Sequence, residues 1–397
     1  MKSLAVSPTR IIALAYPWDM DDIDPSDLAK SLSEVPLFRE LQRVIMAQTG
    51  PVNWEIARQV AKAVASAGKP GFPPTDEDRG WFTDACRIAE LHITRTTSFE
   101  TVTPLDDIRV MSRPEWAEIN LEGFRGLIDR LASRLGGQIG GTAGVVGQPM
   151  MGAIGPLLFG LQIGFLVGYL SHRVLGQYDL CLPRHSPGAV YFVFPNIQKL
   201  EKELELEPQQ FRLWLALHEV THVLEFESID WARDHFTGLV HRYIDAAQLD
   251  SSEVMGRLQG LSDPEELSRL MQHPEELMPM MMSPEQEQVL EEIQAFMSVL
   301  EGYSEWIMDQ VGRQILPDFD KMREAVTRMR AEQSSAEKMF QSLLGIDLKR
   351  EQYRAGEKFV RTIADAGKQE MLWEGTHNLP TVGEVADPVT WLERVAF

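Results

Sequence analysis

The chain reads as mainly α with a small β element. Apolar positions recur at helical spacing through most of its 397 residues, and turn residues punctuate them. Only Ala189-Val-Tyr-Phe-Val-Phe194 is β-branched and aromatic with turn residues at both ends. No internal repeat or low-complexity linker divides the chain, so residues 51–397 are expected to form one domain behind an N-terminal arm, residues 1–50.

The elements follow in order. Pro17, Asp21, Asp22 and Pro25 mark the arm as turn-rich. Asn53 can cap a helix to about Ala67, with Trp54, Ala57, Val60, Ala61 and Val64 on one face. After a Gly/Pro loop, a second helix runs from about Asp76 to His92. A third opens at Ser112-Arg113-Pro114 and runs to Leu135. The Ala189–Phe194 strand closes at Pro195-Asn196. A helix then spans Glu207 to about Phe226. Pro264, Pro274, Pro279 and Pro284 cut the next, acidic and Met-rich stretch into short helical pieces. Long helices are expected over Glu285–Val311, Phe319–Leu344 and Lys349–Ala366, and the tail reads as an ordered arm ending in a short helix near Trp391.

Composition excludes some functions. Lys plus Arg is 38 against 59 Asp plus Glu, a net charge of −21. That balance argues against nucleic acid or an anionic membrane as partner. Cys86 and Cys181 are the two cysteines, with no Cys-x-x-Cys pair, so a thiolate zinc site is excluded and two buried thiols are expected. Pro8 and Arg10 interrupt the N-terminal apolar stretch, so no signal peptide is read and a cytoplasmic location is the expectation. Gly136–Leu170 carries no charge and is long enough to span a bilayer, but its eleven glycines and Pro156 favour a helix buried on every side.

The chemistry centres on His218-Glu219-Val220-Thr221-His222. Histidines at i and i+4 lie one above the other on a helix, so both imidazoles reach one zinc ion. Glu219 can contact a zinc-activated water without ligating the metal, as a general base. Glu225 and Ser228 stand where metzincins carry Gly and His, so that class is excluded. The third ligand is sought on the 285–311 helix, where Glu301-Gly302-Tyr303-Ser304-Glu305 sets two carboxylates a turn apart. Glu301 would bind zinc and Gly302 would permit close helix packing. Glu305 or Asp309 would orient a ligand histidine. His235 and His241 are alternative ligands. Tyr303, His235, Tyr178 and Arg173 are candidates to stabilise an oxyanion.

Arg173–Asp179, Phe194-Pro195-Asn196, Leu217–His222, Leu300–Asp309, Leu379-Pro-Thr381, Asp387-Pro388 and Trp391-Leu392 together resemble the type 2 zincin-like metallopeptidase family. This bacterial and archaeal group of hydrolases is also labelled as associated with deazaflavin-cofactor biosynthesis. The resemblance runs from about Val52 to the end. It implies a zincin-like helical metallohydrolase core holding one zinc ion, with ligands at His218, His222 and Glu301 and a base at Glu219. It also implies that Gly136–Leu170 belongs to a soluble fold. Tyr303 stands where the family often has His, and a tyrosine donates a hydrogen bond but is no base near pH 7.

The resulting expectation is a zinc hydrolase acting on a peptide or amide substrate. The rival expectations are a non-catalytic scaffold stabilised by zinc, and a membrane-associated protein anchored by residues 136–170.

Overall fold

The structure, a computed structural model, describes residues 13–15, 27, 50–68, 71–100, 105–140, 148–178, 188–247, 283–331 and 350–395. The short strand β1 (Ala13–Ala15) lies far upstream of the first long helix, α1 (Trp54–Ser66). The Asn53 side chain accepts from the Ile56 N–H, the expected cap. Next comes α2 (Asp76–Thr96), opened by a Thr75/Asp78 capping box. Strand β2 (Ile108–Met111), α3 (Arg113–Gly140) and α4 (Gln148–Leu170) follow. Strands β3 (Val174–Tyr178) and β4 (Val190–Val193) complete a four-stranded sheet of order β1-β3-β4-β2. The β1–β3 and β3–β4 pairs are antiparallel, whereas β4–β2 is parallel.

The 189–194 strand is present, but Phe194-Pro195-Asn196 starts a helix, α5 (Phe194–Glu203), rather than a turn. Proline is tolerated in a first turn because its missing N–H would have no partner there. After α5 come α6 (Pro208–Glu227), α7 (Ala232–Asp245) and α8 (Pro284–Ile307). α8 continues into a π-helical turn, Met308–Gly312. Then follow α9 (Phe319–Ala331), α10 (Arg350–Asp365), α11 (Val382–Ala386) and α12 (Pro388–Val395). The terminal helix is the expected one, with Trp391 fully buried and its indole N–H donating to Asn378 O at 2.6 Å. The helical pieces expected between Pro264 and Pro279, and the 332–344 part of another helix, lie outside the described residues.

The sheet separates two apolar layers. Tyr191 and Val193 face a cluster with Ala57, Ala61, Trp116 and Leu121 from α1 and α3. Val190 and Phe192 face the larger core of α2, α6 and α8, where Phe192 stacks on Phe82 with centroids 4.4 Å apart.

Residues 148–170 form one helix that runs through Pro156. The Pro156 carbonyl accepts from the Asn53 N–H at 2.8 Å, so tertiary packing supports the chain at that point. Contrary to expectation, α4 is not buried on every side, since Leu158 and Gln162 are exposed. Its buried face is glycine. A Cβ at Gly160, Gly164 or Gly168 would strike the Asn53, Ala57 or Ala61 carbonyl of the α1 segment. Among the described residues, no helix is long and apolar enough to cross a membrane.

Candidate metal centre

Helix α6 enters the core with residues 214–226 all buried, so its polar members are placed where each needs a partner. His218 and His222, one turn apart, turn their Nε2 atoms toward each other at 3.1 Å. Glu301 comes from α8, with its carboxylate oxygens 4.0 Å from His218 Nε2 and 3.9 Å from His222 Nε2. His218, His222 and Glu301 are the group among the described residues whose ligand atoms converge as a metal site requires.

The backbone contact beside Glu301 sets this approach. A Cβ at Gly302 would overlap the Gly356 carbonyl of α10, and one at Gly356 would overlap the Ser298 carbonyl. Two facing glycines therefore let α8 and α10 touch, as expected for Gly302.

The other imidazole nitrogens are engaged. Ser304, a turn beyond Glu301, places its hydroxyl 2.9 Å from His218 Nδ1. Glu225, a turn beyond His222, places Oε2 2.8 Å from His222 Nδ1. With the proton on each Nδ1, both Nε2 lone pairs would face the gap between the two rings and Glu301. Sequence reasoning assigned this orienting role to Glu305 or Asp309, and the structure corrects it. Asp309 pairs with Arg323 and with Arg361, and Glu305 acts on His222 through its charge. Glu225, which in the sequence only marked a departure from the metzincin pattern, reaches the histidine. The i, i+3 spacing of His222 and Glu225 was the available signal.

Electrostatics favour a cation here. Burial, followed by the neighbouring His218, pushes the His222 pKa well below its ordinary value. Burial, followed by the charge of Glu301, pushes the Glu225 carboxyl well above the ordinary range. Glu219 and Glu225 are fully buried, and Glu301 is 9% exposed. Three carboxylates and two imidazoles in so little water form a donor set that a divalent cation relieves. Tetrahedral zinc separates its ligand atoms by roughly 3.3 Å. The two nitrogens lie near that separation, and the carboxylate lies some tenths of an ångström outside it.

Glu219 projects toward the sheet. A Cβ at Gly176 of β3 would lie 2.5 Å from Glu219 Oε1, so only glycine leaves room for the carboxylate there. Gly176 is a site residue that the sequence did not reveal. Cys86 lies on the same side, its thiol pushed up by burial and then by the charges of Glu219 and Glu90.

The remaining candidates are outside the converging group. Tyr303, two residues from Glu301 and so on another side of α8, is enclosed by Phe99, Trp306 and Trp373. Burial, then Glu370, pushes its phenol far up. The His235 ring packs on Trp231 and Phe296, and His241 on the same helix is outside the metal-competent group. The Tyr178 hydroxyl donates to Glu227 Oε1 and accepts from Arg233, each at 2.6 Å. Arg173 lies over the Tyr169 ring, 4.6 Å from its centroid. A cavity of about 300 Å³ lies along β2 and is lined by Arg79, Arg109 and Glu115, none of them a residue of this centre.

The sequence pattern of the zincin-like metallopeptidases matches residues 52–392. A crystal structure from Chloroflexus aurantiacus, described as a candidate hydrolase with a novel fold, is 31% identical to this chain. The two align with a TM-score of 0.65, over 87% of this chain and 99% of that one. No curated protein matches the chain.

Proposed function

The chain belongs to the zincin-like metallopeptidase family, and from that premise we propose a zinc-dependent hydrolase that cleaves a peptide or amide bond. The observation that carries this reading is the convergence of His218, His222 and Glu301, with Glu219 on the same helix as the histidines. Three protein ligands leave a tetrahedral position for a non-protein ligand, the pattern of a catalytic site.

His218, His222 and Glu301 would hold the ion. Bound zinc supplies a lowered pKa for water and polarisation of a carbonyl. Ser304 and Glu225 fix the two imidazole rings so that each presents Nε2. Glu219 accepts the proton of the attacking water at a carboxylate oxygen and returns it to the leaving nitrogen. Gly176 keeps the space in which that carboxylate sits. Tyr303 and His235 take no part at the metal in this reading. The buried surroundings of Glu219 exclude competing water and strengthen its electrostatic interactions.

The test is Glu219→Gln, with zinc content and hydrolysis of an unstructured polypeptide measured together. The expected outcome is about one zinc per chain retained and turnover reduced by about 10²–10⁴-fold. Undiminished turnover would remove Glu219 as the base.

A second reading is favoured by one observation, the near-complete burial of both histidines. It is a zinc site that only stabilises the fold. X-ray absorption on the zinc-loaded protein separates the two, because a fourth protein ligand means structure and a bound water means chemistry.

A further inference from the structure

Glu225 meets His222 with one oxygen only. Its Oε2 lies 2.8 Å from His222 Nδ1. Its Oε1 is buried and has no hydrogen-bond partner among the described residues. The same holds for the Tyr303 hydroxyl and for the Trp373 indole nitrogen. A buried polar atom without a partner is costly, so three in one neighbourhood point to something they share.

Packing brings the three together. Ser304 meets His218 and Phe296 meets Phe226, so α8 runs antiparallel to α6. A long side chain on a helix leans toward the N-terminus of that helix, which carries the Tyr303 ring toward the level of Glu225. The other side of the ring gives the same placement. Ser228, a turn past Glu225, donates to the Glu100 carbonyl. Phe99, next in the chain to Glu100, packs on Tyr303 with centroids 5.4 Å apart. Trp373 packs edge-on to the same ring at 5.1 Å. The phenol feels both the Glu225 charge and the Trp373 N–H. Tyr303 and Glu225 are fully buried.

We propose that Tyr303, Trp373 and Glu225 hold one buried water, and that through it Tyr303 positions the metal centre. The water accepts from the Tyr303 O–H and the Trp373 N–H and donates to Glu225 Oε1. About three bonds is usual for a buried water. With a donor on each oxygen, the Glu225 carboxylate keeps one orientation, and so does the His222 ring that it meets. Tyr303 is a positioning residue that touches neither metal nor substrate. The inference rests on the metal centre of the reading above and adds the groups that hold it from behind.

The test joins a crystal structure of the metal-free full chain to zinc titration. The crystal should show a water about 2.5–3.0 Å from both the Tyr303 hydroxyl and Glu225 Oε1. Tyr303→Phe removes that hydroxyl and keeps the ring. It should weaken zinc binding about three- to tenfold, read by competition with a chromogenic chelator. In a Glu225→Ala background the same substitution should change zinc binding by under about twofold. No water at that place, or an equal loss of affinity with and without Glu225, would overturn the proposal. Neither readout involves turnover, so the hydrolase reading can fail by itself. A parent chain that holds this water but binds no zinc keeps the water site and loses the metal-centre reading.

Discussion

The α1–α4 pair and the α6–α8 pair both bury histidine, in surroundings of opposite charge. His172, just past α4, places Nε2 2.8 Å from the Val64 carbonyl of α1. A carbonyl only accepts, so this nitrogen carries the proton. Burial first, and then the nearby cations Arg113, Lys199 and Arg173, push its pKa down to about 4. It is a neutral tie between two helices. His218 and His222 are equally buried, but their neighbours are Glu225, Glu301 and Glu305. The same ring, equally dry, here stands among negative charge, where a cation would be favoured. Glycine repeats the contrast. Gly160, Gly164 and Gly168 bring α4 against the carbonyls of the α1 segment, whereas Gly302 and Gly356 bring α8 against α10 and leave Glu301 facing the histidines.

The largest effect that would sharpen this contrast is His222→Ala. Zinc content should fall from about one per chain to under roughly a tenth, measured by elemental analysis, because two ligands hold the ion far more weakly than three. His172→Gln should leave zinc in place. Retained zinc in the first variant would break the assignment.

Next in size is the pH dependence of His172. Its folded pKa is depressed, so between about 4 and the ordinary 6.5 the unfolded chain binds more protons. Its contribution is therefore full above about pH 6.5 and is lost as pH falls toward 4, roughly 3 kcal/mol in all. Urea unfolding at pH 7 and pH 4 should show that loss in the parent and not in His172→Gln. The metal centre contributes equally to both proteins. Parallel curves would mean that His172 is not held neutral.

The glycine contrast predicts a divided outcome. Gly164→Val and Gly302→Ala should each destabilise by about 1–3 kcal/mol through overpacking. Zinc affinity should be unchanged in folded Gly164→Val and weakened in Gly302→Ala. Equal zinc affinities would mean that the α8–α10 approach does not set the position of Glu301. The smallest effect is Glu225→Gln, which should weaken zinc binding by at least about tenfold. It acts through the His222 orientation alone, and competition with a chromogenic chelator would measure it.

Much of this was legible before folding. His218, Glu219 and His222 share a helix whose apolar neighbours announced it, and Glu301 and Gly302 stood together for reasons the structure repeats. The strands β2 and β3 were not legible. They are four and five residues long, and Gly176 interrupts the β3 pattern at the position the site requires. The partners of the histidine Nδ1 atoms were misread because the search followed the helix bearing the third ligand. One orienting residue lies on the histidines' own helix, and the other, Ser304, carries no charge to draw attention.

The sequence by itself determined which side chains could share an ion, because a fixed 3.6-residue period puts i and i+4 on one face wherever the helix ends up. Only the tertiary structure decided that α8 approaches α6, that Glu219 lies against Gly176, and that α4 runs on through Pro156 with one side in solvent. Those outcomes depend on which backbones touch, and such contacts join residues far apart in the chain that no local period connects.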